Sequence, residues 1–424
     1  MKVLVVGGGG REHAIAWKLS KENNVEKIYC APGNAGIAKV AQCVNISDSD
    51  IENLVKFAKE NNIDLTVVGP EVPLVNGIVD EFEKKGLKIF GPNKECSTFE
   101  GSKAFSKDFM IRHNIPTAKY KEYTNLDEAI SEIDSFGYPV VIKADGLAAG
   151  KGVVIPENRE DAINTLREMM SDKKFGSAGE KIVVEEFLSG VETSILAFVD
   201  NDTIVPMVSA KDHKKVYNFE KGPNTGGMGT FSPSEIYTDE LSKEISEKVL
   251  NRTLEGFKKD NLNYKGVLFI GLMITEDGPK VLEYNVRFGD PETQSVLFRL
   301  ETDLHKIMEA ILDNKLKDIE INYKKEEAVC VMLTSGGYPE DYEKGKVITG
   351  LEDLDEDIVV FHSGTKMLDG NLVTNGGRVI GITTSAESVE EAAKKVYKNI
   401  EKINFEGMHY RSDIGIKFCE EISF

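Results

Sequence analysis

This chain has little cysteine and histidine, and what it has is unpaired. Its five cysteines, Cys30, Cys43, Cys96, Cys330 and Cys419, are scattered, odd in number and hold no Cys-x-x-Cys pair. That argues against a disulfide framework or a structural zinc site and fits thiols kept reduced in a cytosol. The six histidines, His13, His113, His213, His305, His362 and His409, show no spacing of metal-ligand type. Positive charge is also short: 52 Lys and Arg against 71 Asp and Glu leave a net charge of −19. Nucleic-acid and anionic-membrane surfaces attract through Lys and Arg, so neither is expected as a partner. Any phosphate-bearing ligand must then meet cations concentrated locally. No apolar run is long enough to span a bilayer, and the chain enters a strand from Met1 without a charged leader, so a cytoplasmic protein is expected. No Gly-x-Ser-x-Gly elbow or Cys/His arrangement offers a nucleophile. Repeats and low-complexity tails are missing too.

What is present is core-forming content. With 424 residues, 41% hydrophobic and 29% charged, the chain supports about two to four domains of roughly 100–200 residues each. Residues 1–101 alternate strand and helix, with strands over 2–6, 27–30, 65–68 and 88–90 and helices over 12–21, 51–61 and 78–85. That order predicts an open parallel sheet, with ligands beyond the carboxyl ends of its strands. Three loops fall there: Gly7 to Gly10, Ala31 to Gly36, and Gly69-Pro70-Glu71. A helix over 102–113 follows, then a compact α/β unit with strands over 140–143, 153–156 and 182–186. Residues 193–326 mix strands with helices over 238–259 and 304–313, and the Lys- and Glu-rich stretch 315–327 reads as a linker. The last hundred residues or so carry strands over 328–334, 358–361 and 379–384 and a helix over 388–402.

The richest stretch is Leu282-Glu283-Tyr284-Asn285-Val286-Arg287-Phe288-Gly289-Asp290-Pro291-Glu292. It begins as a strand, so Glu283, Asn285 and Arg287 are expected on one face. A carboxylate beside an amide oxygen suits a hard cation, and the guanidinium suits an anion. An apolar strand over 266–274 precedes it across a Glu-Asp-Gly-Pro turn. Gly7-Gly8-Gly9-Gly10-Arg11-Glu12-His13 follows a strand and opens a helix, which makes an anion site. It is neither a dinucleotide fingerprint, whose third glycine falls on Glu12 or His13, nor a Walker loop, whose Gly-Lys-Ser/Thr ending is missing. Lys143 ends an apolar strand and leads into Ala144-Asp145-Gly146-Leu147-Ala148-Ala149-Gly150-Lys151-Gly152, a hairpin able to close over phosphates. A second glycine-rich loop, Gly222 to Gly229, follows Ala210-Lys211-Asp212-His213-Lys214. A cation site, several phosphate cradles and no nucleophile suit direct phosphoryl transfer.

Together the strand over 140–143 with its loop, the loop over 222–229, and Arg287-Phe288-Gly289-Asp290-Pro291-Glu292 resemble the phosphoribosylamine–glycine ligases of the ATP-grasp superfamily. The likeness runs from Val3 to about Asp413. It implies an α/β protein of ATP-grasp architecture. That architecture has an N-terminal parallel-sheet domain (1–101), a mobile ATP-lid subdomain (102–192), a central α+β core (193–326) and a C-terminal α+β domain (327–424). It also implies joining of glycine to 5-phosphoribosylamine with ATP, through glycyl phosphate, by a monomer or weak dimer. Another ATP-grasp carboxylate–amine ligase is the alternative. Carried over residue by residue, Glu283 and Asn285 would hold Mg²⁺ or Mn²⁺. Lys107 and Lys143 would touch ATP phosphates under the loop of Gly146, Gly150, Lys151 and Gly152. Glu185, Glu186, Phe187 and Leu188 would hold adenine by backbone, and Glu192 the ribose. Arg287 would sit by the reacting carboxylate and γ-phosphate, and Asp212 by the glycine amine. Gly9, Glu71, Asp290 and Arg378 would hold phosphoribosylamine, with Gly226, Gly289, Pro291 and Glu292 lining the substrate side. In one departure from the family's pattern, the strand over 266–274 has no acid to serve as a further metal ligand.

Overall fold

A computed structural model describes residues 1–148, 152–172 and 176–416. Val3, Leu4, Val5 and Val6 are fully buried, as a strand covered on both faces must be. They lie in Lys2–Gly7, the central strand of a parallel sheet ordered Gln42–Cys43, Lys27–Pro32, Lys2–Gly7, Leu65–Val68, Ile89–Phe90. Parallel pairing puts the three expected loops at one edge. Period-two alternation sends Leu4 and Val6 into one core and Val3 and Val5 into another.

Three larger antiparallel sheets follow. Tyr120–Tyr123, Ile182–Glu186, Val140–Ala144 and Val153–Val154 form one sheet, packed with Ala129 of helix Leu126–Glu132 and with Ala162, Leu166 and Met169 of helix Arg159–Met170. Ile204–Pro206, Val191–Val199, Gly266–Thr275 and Gly278–Asn285 form the next. Its two faces share cores with the N-terminal sheet: Leu268 and Ile270 join Leu4, and Val267 and Phe269 join Val3. The last sheet, Lys211–Asp212, Gly229–Ser232, Glu327–Thr334, Arg378–Ala386 and Val359–His362, draws its first two strands from the middle of the chain. The loop over 222–229 is thereby bound to the C-terminal layer.

Some expectations are refined. The helix over 102–113 runs Lys103–Arg112, because the Ser102 hydroxyl caps it by accepting from Phe105 N at 3.2 Å. The helix over 238–259 starts after the capping Thr238 and has a wider-wound turn at Ser246–Leu250. The stretch over 315–327 is no free linker. Leu316, Ile319, Ile321 and Tyr323 pack on the core between the charged residues, and Leu316 N donates to the buried Asp200 at 3.0 Å. Glu292–Arg299 is a helix whose eight residues are all buried, wedged between helix Gly10–Leu19 and the last sheet. Its N-terminus therefore delivers Asp290, Pro291 and Glu292 to the junction of the layers.

Candidate active site

Glu283 and Asn285 leave one face of strand Gly278–Asn285, with Asn285 Nδ2 donating to Glu283 Oε1 at 3.3 Å. Glu283 pairs with Gly271 and Asn285 with Phe269, so the neighbouring strand offers no acid beside them. Burial raises the Glu283 carboxyl, but Lys214, Lys143 and Lys103 outweigh it and hold the group below its ordinary value. A charged carboxylate beside an amide oxygen fits a hard cation that keeps waters or phosphate oxygens as its remaining ligands. Among the described residues no group of three or more His, Cys, Asp or Glu gathers at one point.

Arg287 does not share that strand face. The ladder stops at Asn285, because Val286 N donates to the buried Glu100 at 2.8 Å instead of to a strand. The chain turns there, and Arg287 meets Glu100 Oε1 at 2.9 Å and Glu71 Oε2 at 3.5 Å. Glu71, opposed by burial, is held below its ordinary value by Arg287 and Arg11.

Lys107 and Lys143 converge on one acid. Glu185 lies on the strand paired with that of Lys143, and each of its oxygens meets one lysine nitrogen at 2.8 Å. Side-chain exposures of 2% for Lys107 and Glu185 and 7% for Lys143 make this a buried triad. Burial pulls Lys107 down to about 8, against Glu185. Glu185 thus has a side-chain role beyond the backbone one expected of it. Glu186 accepts from Lys119 N at 2.9 Å, Phe187 is 40% exposed, Leu188 is buried, and Glu192 is exposed. Gly146 O accepts from Lys103 Nζ at 3.2 Å, and Gly152 O from Ala144 N at 2.8 Å. Gly150 and Lys151 lie outside the described residues.

Arg378 ties the glycine-rich loop to Asp290. It donates to Gly226 O at 2.6 Å and Asp290 O at 2.8 Å, and its other nitrogen is 3.3 Å from Asp290 Oδ2. Gly226 N donates to the Tyr338 hydroxyl at 2.9 Å. Asp290 also accepts from Gln294 Nε2 at 2.9 Å. Thr293 donates to Gly289 O at 2.6 Å, and Glu292 is buried, with Ser194 Oγ at 3.4 Å. Gly9 is next to Asp290, since a Cβ there would lie 3.7 Å from Asp290 Oδ2. The glycine loop differs from expectation in one respect. Its resident anion is Glu12, which folds back to accept from Gly9 N at 2.6 Å, so that N–H is not free for phosphate. Arg11 donates to Glu12 at 2.6 Å and to Phe288 O at 3.2 Å.

Sequence reasoning missed five contributors: Arg11, Glu100, Lys103, Lys214 and Gln294. Arg11 and Lys214 lie inside motifs that were legible, and Lys103 lies inside the expected helix over 102–113. Glu100 and Gln294 carry no local signal.

Paired buried lysines sharing one acid, with a carboxylate and an amide side by side on a strand of the next sheet, are the arrangement of the ATP-grasp class of enzymes, and solved structures agree on the fold. The biotin carboxylase domain of the Hydrogenobacter thermophilus 2-oxoglutarate carboxylase, crystallised with MgADP, matches with a TM-score of 0.73 at 17% identity, over 96% of this chain and 91% of its own. Three family models, phosphoribosylglycinamide synthetase N domain, ATP-grasp (A) domain and C domain, match residues 1–100, 101–293 and 328–417. A phosphoribosylamine–glycine ligase of Caldanaerobacter subterraneus is 53% identical over 98% of this chain and 99% of its own length. The crystal structure of that ligase from Thermotoga maritima matches with a TM-score of 0.85 and 35% identity, over 98% of this chain and 100% of that one. This chain belongs to the phosphoribosylamine–glycine ligase family.

Proposed function

We propose that this enzyme joins glycine to 5-phosphoribosylamine with ATP as co-substrate, giving glycinamide ribonucleotide, ADP and phosphate. The observation that supports the reading is a linked run of charges, in which Lys143 and Lys214 both act on Glu283 and Lys214 pairs with Asp212, near Arg378. That run connects the Lys107–Glu185–Lys143 triad, the Glu283–Asn285 pair and the Arg378–Asp290–Gly226 group, in a chain of this family from end to end. A glycine carboxylate oxygen bonds to the γ-phosphorus as the bond to ADP breaks. The amine of phosphoribosylamine then attacks the acyl carbon of glycyl phosphate, phosphate leaves and the nitrogen loses a proton. No protein nucleophile is needed, which accords with the lack of one.

Lys107 and Lys143 neutralise phosphate charge. Glu185, Glu186, Phe187 and Leu188 line the adenine, and Glu192 takes the ribose. Glu283 and Asn285 hold Mg²⁺ or Mn²⁺, which supplies charge neutralisation of the transferred phosphoryl group. Asp212 takes the glycine amine. Gly9, Glu71, Asp290 and Arg378, with Gly226, Gly289, Pro291 and Glu292, hold the acceptor. Arg287, engaged by Glu100 and Glu71, belongs to the acceptor side of the cleft. The reading places the protein in the cytoplasm as a monomer or weak dimer. The test is product analysis by mass spectrometry with ATP, glycine and phosphoribosylamine generated in place. Glycinamide ribonucleotide and ADP are expected only when all three are present. Equal turnover with an unrelated amine, or with no glycine, overturns the assignment in favour of another carboxylate–amine ligase.

A further inference from the structure

Residues 215–224 form a hairpin of two strands, Lys215–Tyr217 and Lys221–Asn224, that joins no larger sheet. Of those strands only Val216 is buried, and the turn residue Phe219 is 52% exposed. A lone two-stranded ribbon with so little buried surface is marginal in water. Yet it runs straight into the glycine-rich loop. Thr225 donates to Lys214 O through both its N–H and its hydroxyl, each at 2.7 Å. Gly226 bonds to Arg378 and to the Tyr338 hydroxyl. A Cβ on Gly227 would lie 2.4 Å from Pro291 Cδ. The hairpin's conformation thus sets where that loop begins.

A distant segment, residues 409–414, straps the hairpin. Arg411 has a fully buried side chain. Its Nε donates to Asp413 Oδ1 at 2.8 Å, and one terminal nitrogen meets Asp413 Oδ2 at 2.6 Å and Glu220 Oε1 at 2.8 Å. The other donates to Lys215 O at 3.1 Å. Asp413 Oδ2 also accepts from Phe219 N at 2.8 Å. Asn218 and Ser412 bond twice, at 2.7 and 3.0 Å, and His409 Nε2 lies 2.9 Å from Val216 O. The turn under this strap is strained. Phe219 and Glu220 have φ of +59° and +54°, a left-handed region that favours glycine. The strap grips both, Phe219 by its N–H and Glu220 by its carboxylate. Such backbone persists only where its surroundings over-determine it.

We propose that Arg411 and Asp413 are positioning residues for the reaction, holding the turn at 219–220 in its left-handed form and so setting residues 225–227 against Arg378 and Pro291. Neither residue touches the reacting atoms. They act through the hairpin on the glycine and amine side of the site, and the Lys107–Glu185–Lys143 triad is not among their contacts. The C-terminal segment is in this way part of the catalytic machinery's support. The proposal rests on the ligase reading.

The test is steady-state kinetics on the full chain with each substrate varied in turn. Asp413→Ala should raise KM for glycine and for phosphoribosylamine by about tenfold or more, with KM for ATP within about twofold. Arg411→Lys keeps the charge but loses the two-pronged grip, and should act in the same direction. It carries the same test should Asp413→Ala fail to fold. Adding Phe219→Gly to Asp413→Ala should recover at least about threefold of the loss, because glycine takes a positive φ at little cost. A structural role alone lowers the number of active molecules, so kcat falls, the KM values stay and glycine rescues nothing. That pattern, or unchanged kinetics in both variants, overturns the proposal. Hydrogen exchange reads the strap without turnover. Protection over 215–225 should fall about tenfold in Asp413→Ala while Val140–Ala144 keeps its own. A loosened hairpin in the variant, with a wild type inactive on glycine, sinks the ligase reading alone. Unchanged protection, with wild-type turnover intact, sinks the strap alone.

Discussion

Replacing Glu185 by Gln keeps the side chain's shape and removes one charge from the lysine triad. Both lysine nitrogens lie 2.8 Å from Glu185, and all three side chains are 7% exposed or less. An exposed pair such as Lys56–Glu60, 3.9 Å apart with 67% and 62% exposure, contributes about 0–1 kcal/mol. Stranding a buried charge costs about 3–5 kcal/mol. The lower end applies here, because Lys107, already drawn to about 8 by burial, can shed its proton once Glu185 is gone. A loss of about 3 kcal/mol is roughly a hundredfold in the local opening equilibrium. A chain with several layers need not unfold in one step, so the readout should be local. Hydrogen exchange by mass spectrometry should show protection of Val140–Ala144 and Ile182–Glu186 falling by about that factor. The pH dependence follows from the same group. Burial raises the Glu185 carboxyl, but the two lysines outweigh it and hold the group below 4.5. Its stabilisation is therefore present above 4.5 and lost as pH falls through the folded value. Protection in wild type should decline on acidification below 4.5, and the variant should lack that component. Protection within about threefold of wild type at pH 7, or an equal loss on replacing Lys56, refutes the reasoning.

Other consequences are as direct. Gly227→Ala should abolish turnover, because its φ is +114° and a Cβ there would lie 2.4 Å from Pro291 Cδ. Near-wild-type kcat would show that the loop yields. ATP affinity should weaken as pH rises from 7 to 9, because Lys107 loses its proton near 8. Fluorescent-nucleotide titration that stays flat across that range would remove Lys107 from the phosphate contacts. Glu283→Gln should lower metal-supported ADP formation by about a hundredfold or more while leaving circular dichroism unchanged, and wild-type rates at saturating Mg²⁺ would displace Glu283 as a ligand.

Much of the site was legible because its residues lie on short, locally decided pieces of chain. Glu283 and Asn285 share a face by strand periodicity, and that holds in the structure. Lys143 lies on the expected apolar strand, which runs one residue further, to Ala144. Arg287 was misplaced because the strand's end is set by Glu100, a residue 186 positions away from Val286. The glycine loop's anion was misjudged for a related reason. Glu12 is the third helical residue, placed to fold back on Gly9, and only the packed turn shows it has done so. Residues 315–327 looked like a linker because their charged side chains outnumber the apolar ones that anchor them.

By itself the sequence determined the period-two and helical patterns and the side chains available for each chemical task. These depend on neighbours along the chain. Tertiary structure decided which charges meet. It brought Glu185 between Lys107 and Lys143, Arg378 across to Gly226 and Asp290, and the Thr225–Gly227 loop onto Lys214 and Asp212. Coulomb energy depends on distance through space and on how much water is excluded. The burial that sets both is a property of the packed layers.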